Sequence, residues 1–158
     1  MKIIDNFLPK EIFKKIQQAV IYDLPWYYTK DVSTSGAGDL YYWVHMFYNE
    51  NEVNSTFYHT ITKPLIDIIN PLSLIRVKGN AYPSTQKVFK HEKHVDYEIP
   101  HKGFIYYINT NNGFTILNNG KKVESIANRA LFFDSSKEHC STTCTDQHTR
   151  INININYI

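Results

Sequence analysis

Apolar residues recur every third or fourth position near the start of the chain and every second position towards its end. Ile12, Ile16 and Val20 fall on one helical stripe, widened by Phe13, with lysines and glutamines opposite. Pro9 suits the first helical position, where its missing N–H costs nothing. The spacing predicts a helix of about three turns, after a short strand in KIIDNF. Phe57, Ile61, Leu65 and Ile68 predict a second helix from about Asn54, which Pro64 kinks or divides. The stretch YYTKDVSTSGAGDL, residues 27–40, is small and polar; with Gly36 and Gly38 in it, a mobile loop is expected.

Beyond Pro71 the period changes to two. SLIRVKGNAY, KVFKH, HVDYE, GFIYYIN, FTILN, KKVESI, RALFFD and TRINININY are short and rich in β-branched or aromatic residues, as strands are. Asn118-Asn119-Gly120 between two of them makes a hairpin turn, because Gly120 tolerates positive φ. Helices followed by about eight strands predict an α+β protein with helices packed outside a β-sandwich or barrel.

A chain of 158 residues without linker-like stretches or repeats makes one domain, residues 1–72 carrying the N-terminal strand, helices and loop and 73–158 the β core. Its 42% hydrophobic content suffices for a core without staples, and the 15% aromatic share suits β structure or an aromatic-lined cleft. A net charge of +2 is too small to imply a polyanionic partner. The N-terminus lacks the apolar run of a signal peptide and no stretch reaches membrane-spanning length, so a cytoplasmic setting is expected. Cys140 and Cys144 give no disulfide framework, consistent with a reducing compartment.

Candidate chemistry starts from His94-Val95-Asp96. On an extended backbone, residues two apart point the same way, so an imidazole and a carboxylate converge. That is two-thirds of the facial triad of non-haem iron(II) oxygenases, although His-x-Asp alone is more often a surface pair. The C-terminal segment supplies His139 and, eleven residues on, Arg150. Arg150, Asn152, Asn154 and Asn156 share one face of a final strand and Ile151, Ile153, Ile155 and Tyr157 the other. The Ile side belongs in the core, so the polar row either lines a wet or ligand-filled cavity or faces solvent. His139, Cys140, Cys144 and His148 form a rival, zinc-compatible cluster, without finger spacing. Lys87, Lys90 and Lys93 form a small basic patch, read as a solvated strand face rather than a nucleic-acid contact. Tyr41, Tyr42 and Trp43 read as core aromatics, and His45, His59, His91 and His101 as surface or structural histidines.

His94-x-Asp96, His139 and Arg150, in that order, resemble the core of the iron(II)- and 2-oxoglutarate-dependent dioxygenases, and most of all the small prolyl 4-hydroxylase-like members of bacteria and phages. RVKGNAY, FIYYINTNNGFTIL and NRALFFDSSKEH are similar to the family's strands around the metal motif, and the likeness spans residues 73–157, with a looser match in IIDNFLPKEIF. The resemblance implies a double-stranded β-helix (jelly-roll, cupin-like) core and an Fe(II) ion held by His94, Asp96 and His139. It implies that 2-oxoglutarate and O2 take the remaining positions, ascorbate acts as a supporting reductant, and Arg150 grips the far carboxylate of 2-oxoglutarate. Asn80, Tyr82, Thr115, Asn152 and one tyrosine of the IYY strand, Tyr106 by the favoured register, are candidates to contact the co-substrate. His148 lies two residues before Arg150 and would crowd its strand. The nucleobase-repair branch carries a second arginine where this chain has Asn156, which argues against nucleic acid. A peptidyl prolyl or other amino-acid side chain is the implied substrate, with a free amino acid or other small molecule as alternative. A cupin-like or zinc-stabilised binding module is the non-enzymatic alternative. Succinate and CO2 would be co-products, and the enzyme would act in the cytoplasm, in the phage case that of the host.

Overall fold

The computed structural model describes residues 1–30 and 40–158. Strand β1 (Lys2–Ile4) leads into helix α1 (Lys10–Gln18), whose first turn follows Pro9, and a wider π turn, Ala19–Asp23, continues it. Tyr27–Thr29 form β2, so the start of the expected loop is a strand, paired with β3 (Tyr42–Asn49). Residues 31–39 of that loop, with Gly36 and Gly38, lie outside the described residues. Short β4 (Glu52–Val53) pairs with β3. The second helix opens as a π turn, Tyr58–Thr62, and becomes α-helical only at α2 (Lys63–Ile69), where Pro64 occupies the first turn. Pro64 thus divides the helix: a proline cannot donate to a carbonyl four residues back, so it fits where a new α segment begins.

The remaining strands are β5 (Leu74–Pro83), β6 (Lys102–Tyr107), β7 (Asn111–Leu117), β8 (Lys122–Ser125), β9 (Ala130–Asp134), β10 (His139–Cys140) and β11 (Thr149–Tyr157). A large antiparallel sheet has the order β1-β9-β6-β11-β5-β3-β2, with β4 on β3, and a small sheet has the order β10-β7-β8. Two expected strands are absent. KVFKH and HVDYE are irregular and make only single bridges, Lys90 to Thr142 and His94 to His139. Conversely, β3 is not evident from the sequence, because its aromatic run, YWVHMFYN, hides the alternation.

Strand β11 runs through the middle of the large sheet, between β5 and β6. Ile151, Ile153 and Ile155 face outward onto a core made with Leu8, Ile16, Val20, Ile61, Leu65 and Phe104, so both helices cover that face. Ile105, Tyr107, Leu117, Val123, Leu131 and Phe133 form a second apolar cluster at the inner face. Asn128, at φ 63°, closes the turn before β9 and accepts from the Leu8 N–H at 3.0 Å while donating to the Leu8 carbonyl at 2.8 Å, which ties the N-terminal segment to the jelly roll. The β11 isoleucines are expected to dominate stability. Ile153 is fully buried, so Ile153→Ala should cost about 2–5 kcal/mol, read as a lower denaturant midpoint with an unchanged slope.

Candidate metal centre and anion pocket

The inner face of the large sheet is a polar ladder. Arg150, Asn152, Asn154 and Asn156 of β11 lie opposite Tyr82, Asn80, Lys78 and Arg76 of β5. Residues directly opposite in an antiparallel pair share a face, so all eight belong to one wall. The row is buried: Arg150 and Asn156 have no exposed surface, and Asn80, Asn152 and Asn154 are buried with them. The choice between cavity and solvent therefore falls to the cavity. Tyr42, Lys78, Asn80, Tyr82, Asn152 and Asn154 line it from this side; Thr115, His139, Cys140 and Ser141 line it from the small sheet and its immediate continuation. The clear space is narrow, about 30 Å³, and polar side chains fill the rest.

His94, Asp96 and His139 meet at one side of this cavity, with one ligand atom from each within 4.8 Å of the others. Residues 89–96 are not a strand, yet they are fixed by hydrogen bonds to the segment after β9. The Phe89 and Thr143 backbones pair at 2.9 Å, His91 N–H donates to the Ser141 carbonyl at 3.1 Å, and His94 and His139 exchange two bonds of 2.9 Å. This pairing, rather than a period of two, brings the imidazole of residue 139 beside the pair at 94 and 96. Both rings present Nδ1 to a backbone carbonyl, His94 to Glu92 at 3.3 Å and His139 to Lys137 at 3.1 Å. A carbonyl only accepts, so each ring donates from Nδ1 and keeps the Nε2 lone pair for a ligand.

Asp96 is held from several sides. Arg76 Nη2 donates to Oδ1 at 2.8 Å, while Ser135 Oγ at 2.6 Å and Asn156 Nδ2 at 2.9 Å donate to Oδ2. Burial alone would raise its pKa, but the Arg76 charge, then His139 and the two donors, outweigh it and hold the carboxyl well below the usual range. Burial also lowers the His139 pKa, against the opposing pull of Asp96. Carboxylate and neutral imidazole are the forms that coordinate a cation. The site suits a divalent ion of intermediate softness with positions left open.

At the far end of the ladder Arg150 is fully buried. It donates to Ser125 Oγ at 2.7 Å, Thr115 Oγ1 at 3.0 Å and the Thr142 carbonyl at 3.4 Å, and lies over the rings of Tyr82 and Tyr107. Among the described residues no carboxylate pairs with it. A buried cation without a counter-ion is costly, so this end of the cavity fits an anion. The Oδ1 atoms of Asn80 and Asn154 are buried without partners, as expected where a polar ligand belongs. Gly113 gives Arg150 its room: a Cβ there would stand 2.6 Å from Arg150 Cδ. The residues thus fit a metal ion at one side and a carboxylate at the other.

Of the residues singled out in the sequence, Asn80, Tyr82, Thr115 and Asn152 line the cavity with the triad. Tyr106 does not. Its register pairs it with Ile153, so it sits in the outer core and donates to Asn128 at 2.6 Å. Its neighbour Tyr107 faces inward and donates to Thr115 at 2.8 Å. Tyr42, expected to be a core aromatic, lines the cavity and stacks on Tyr82, with ring centroids 5.5 Å apart. Arg76, Lys78 and Ser135 are site residues that the sequence patterns did not single out; the alternation Arg76, Lys78, Asn80, Tyr82 in RVKGNAY carried the signal for the first two. Cys140, Cys144 and His148 do not gather with His139: the cysteines are buried thiols, and His148 lines a separate apolar cleft of about 570 Å³ with Trp26, Trp43 and Ile151. Lys87, Lys90 and Lys93 are exposed. No helix among the described residues is long and apolar enough to cross a membrane.

No protein-family model and no curated protein matches the chain. Solved structures do. The chain has the double-stranded β-helix fold of prolyl hydroxylases and 2-oxoglutarate/Fe(II) oxygenases, and it carries a His-x-Asp…His triad in that fold. A prolyl hydroxylase from Trichoplax adhaerens, in complex with a hypoxia inducible factor peptide fragment, is similar over 99% of this chain and 82% of its own, with a TM-score of 0.68 and 14% identity. The viral collagen prolyl hydroxylase of Paramecium bursaria Chlorella virus-1, in a 2-oxoglutarate complex, matches over 99% and 95%, with a TM-score of 0.63 and 14% identity. A Pseudomonas putida prolyl-4-hydroxylase matches over 99% and 91%, with a TM-score of 0.60 and 11% identity.

The arginine behind Asp96 should matter to the metal. Arg76→Met should weaken Fe(II) binding about tenfold or more. The loss should deepen as pH falls, because burial without the counter-charge raises the carboxyl pKa and protons then compete with the ion. Anaerobic calorimetry at neutral and mildly acidic pH checks both points; an unchanged affinity would show that Asp96 needs no such support.

Proposed function

We propose that the protein is an Fe(II)- and 2-oxoglutarate-dependent dioxygenase that hydroxylates an amino-acid side chain, releasing succinate and CO2. The observation that carries this reading is the pairing, across one buried cavity, of a two-histidine, one-carboxylate cluster with a guanidinium that lacks a counter-ion. His94, Asp96 and His139 would hold the metal on one face. Arg150 offers a planar fork for the distal carboxylate of 2-oxoglutarate, and Thr115, already bonded to Arg150, stands beside that site. Metal, 2-oxoglutarate and O2, when bound, supply the oxidising power for replacing C–H by C–OH, one oxygen atom going to the product and one to succinate.

The chain's own residues prepare that chemistry. Arg76, Ser135 and Asn156 keep Asp96 ionised and aimed; the carbonyls of Glu92 and Lys137 fix the ring tautomers; Tyr82 and Tyr107 wall Arg150 from water. A peptidyl prolyl substrate is supported by the named prolyl hydroxylases. The same fold also occurs in a 2-oxoglutarate-dependent epimerase, with a TM-score of 0.66, so likeness of fold does not fix the substrate. A free amino acid is favoured by one feature of the cavity wall, Lys78.

Purified protein given Fe(II), ascorbate and 2-oxoglutarate should form succinate slowly, and His94→Ala should abolish it. A wild-type protein that binds no 2-oxoglutarate under anaerobic metal would instead be a metal-binding module without turnover. Arg150→Ala should raise the KM for 2-oxoglutarate by about tenfold or more while leaving metal affinity unchanged; equal loss of both would make Arg150 structural.

A further inference from the structure

The charges facing the cavity do not cancel. Asp96 is answered by Arg76, and in a dioxygenase Arg150 is answered by the co-substrate. Lys78 remains. It lines the cavity beside the triad, and among the described residues no carboxylate lies within ion-pair distance of it. Its ammonium donates to the Tyr42 hydroxyl at 3.4 Å and lies over the same ring, 5.6 Å from the centroid. Burial, and then the repulsion of Arg76, outweigh the pull of Asp96 and lower its pKa to about 7, so an anionic ligand beside it would restore its full charge.

At the level of the backbone, Lys78 and the Arg150 subsite are set further apart along the wall than the carboxylates of one small diacid. Lys78 and Tyr82 share a face of β5 four residues apart, about 13 Å along the strand, and Tyr82 pairs with Arg150. A five-carbon diacid spans roughly 6 Å between its carboxylates, given C–C bonds near 1.5 Å. The asparagine wall between them is neutral, so the cavity has two cationic groups, and the metal site lies towards Lys78, since Asp96 is held by Arg76, two residues from Lys78 on β5.

We infer that Lys78, with the Tyr42 hydroxyl, is a specificity-determining anion subsite for the substrate, which is a small molecule carrying a free carboxylate, such as a free amino acid, rather than an internal residue of a peptide. This rests on the dioxygenase reading and narrows it. With its charged neighbour Arg76 already paired to Asp96, one ammonium among a phenol and carboxamides matches a single negative charge; a phosphate, with close to two charges, would be under-neutralised. An internal peptide residue offers the ammonium only neutral carbonyls, and burying Lys78 beneath it would leave the cation without a counter-charge, at a cost.

The test uses the full chain loaded with Fe(II) and 2-oxoglutarate, and as probes the free L-amino acids, each beside its carboxamide. Before any probe is added, binding of 2-oxoglutarate and slow succinate release are measured; if wild type shows neither, the dioxygenase reading fails, and this inference with it. With both present, at least one free acid should bind in anaerobic calorimetry and accelerate succinate release, and its amide should do neither. Lys78→Met should weaken that acid about tenfold or more and leave the KM for 2-oxoglutarate unchanged, and Lys78→Arg should recover part of the loss. Acids and amides acting alike, or no acid binding at all, would overturn the inference while leaving the dioxygenase intact. So would a Lys78→Met protein, folded by circular dichroism, whose main defect is a raised KM for 2-oxoglutarate, since Lys78 would then serve the co-substrate.

Discussion

A strand with two incompatible faces governs this molecule. Along β11 the isoleucines can be satisfied only by exclusion from water, and the alternate residues only by polar partners. The middle of the large sheet answers both demands, with helices sealing one side and a second sheet standing off from the other. Because β11 is flanked by β5 and β6, its backbone groups are spent on the ladder. Its inward side chains must then find partners in β5, in the metal-ligand loop or in a ligand. The site follows from where the core had to go.

The polar wall divides the cavity into tasks by position along the strands. At one end a guanidinium is walled by two phenol rings and anchored to Ser125 and Thr115. At the other, Arg76 and Asn156, opposite one another on adjacent strands, both reach Asp96. Carboxamides occupy the middle, with Lys78 between them and the Asp96 end. The register of β5 against β11 sets this order, so a slip by one residue would exchange every inward group for an outward one. Gly113 adds a steric condition, since the guanidinium's stem passes where any side chain at 113 would project.

Much of this was legible in the sequence, for identifiable reasons. The alternation in TRINININY showed β11 and its two faces, because strict period two has no other physical source at that length. The helix after Pro9 was visible for the same kind of reason, and Pro64 announced the division of the second. Tyr106 was misplaced because IYY contains two tyrosines and only the partner strand fixes which one turns inward. HVDYE looked extended because His, Val and Tyr favour strands, yet it is shaped by pairing with residues far along the chain. The role of Tyr42 was hidden in an aromatic run that reads as core, and Arg76 and Lys78 in a strand whose polar alternation is interrupted by Gly79 and Ala81 rather than by large apolar residues.

The ligands at 94 and 139 are brought together by two backbone hydrogen bonds between an irregular segment and the short strand β10. Closing the stretch between them costs chain entropy that local contacts cannot repay early in folding. The centre therefore belongs to a part of the native state that forms only once distant stretches of the chain have met. An ion that bridges both segments would act as a clasp on that part, linking cation supply to the persistence of the folded protein.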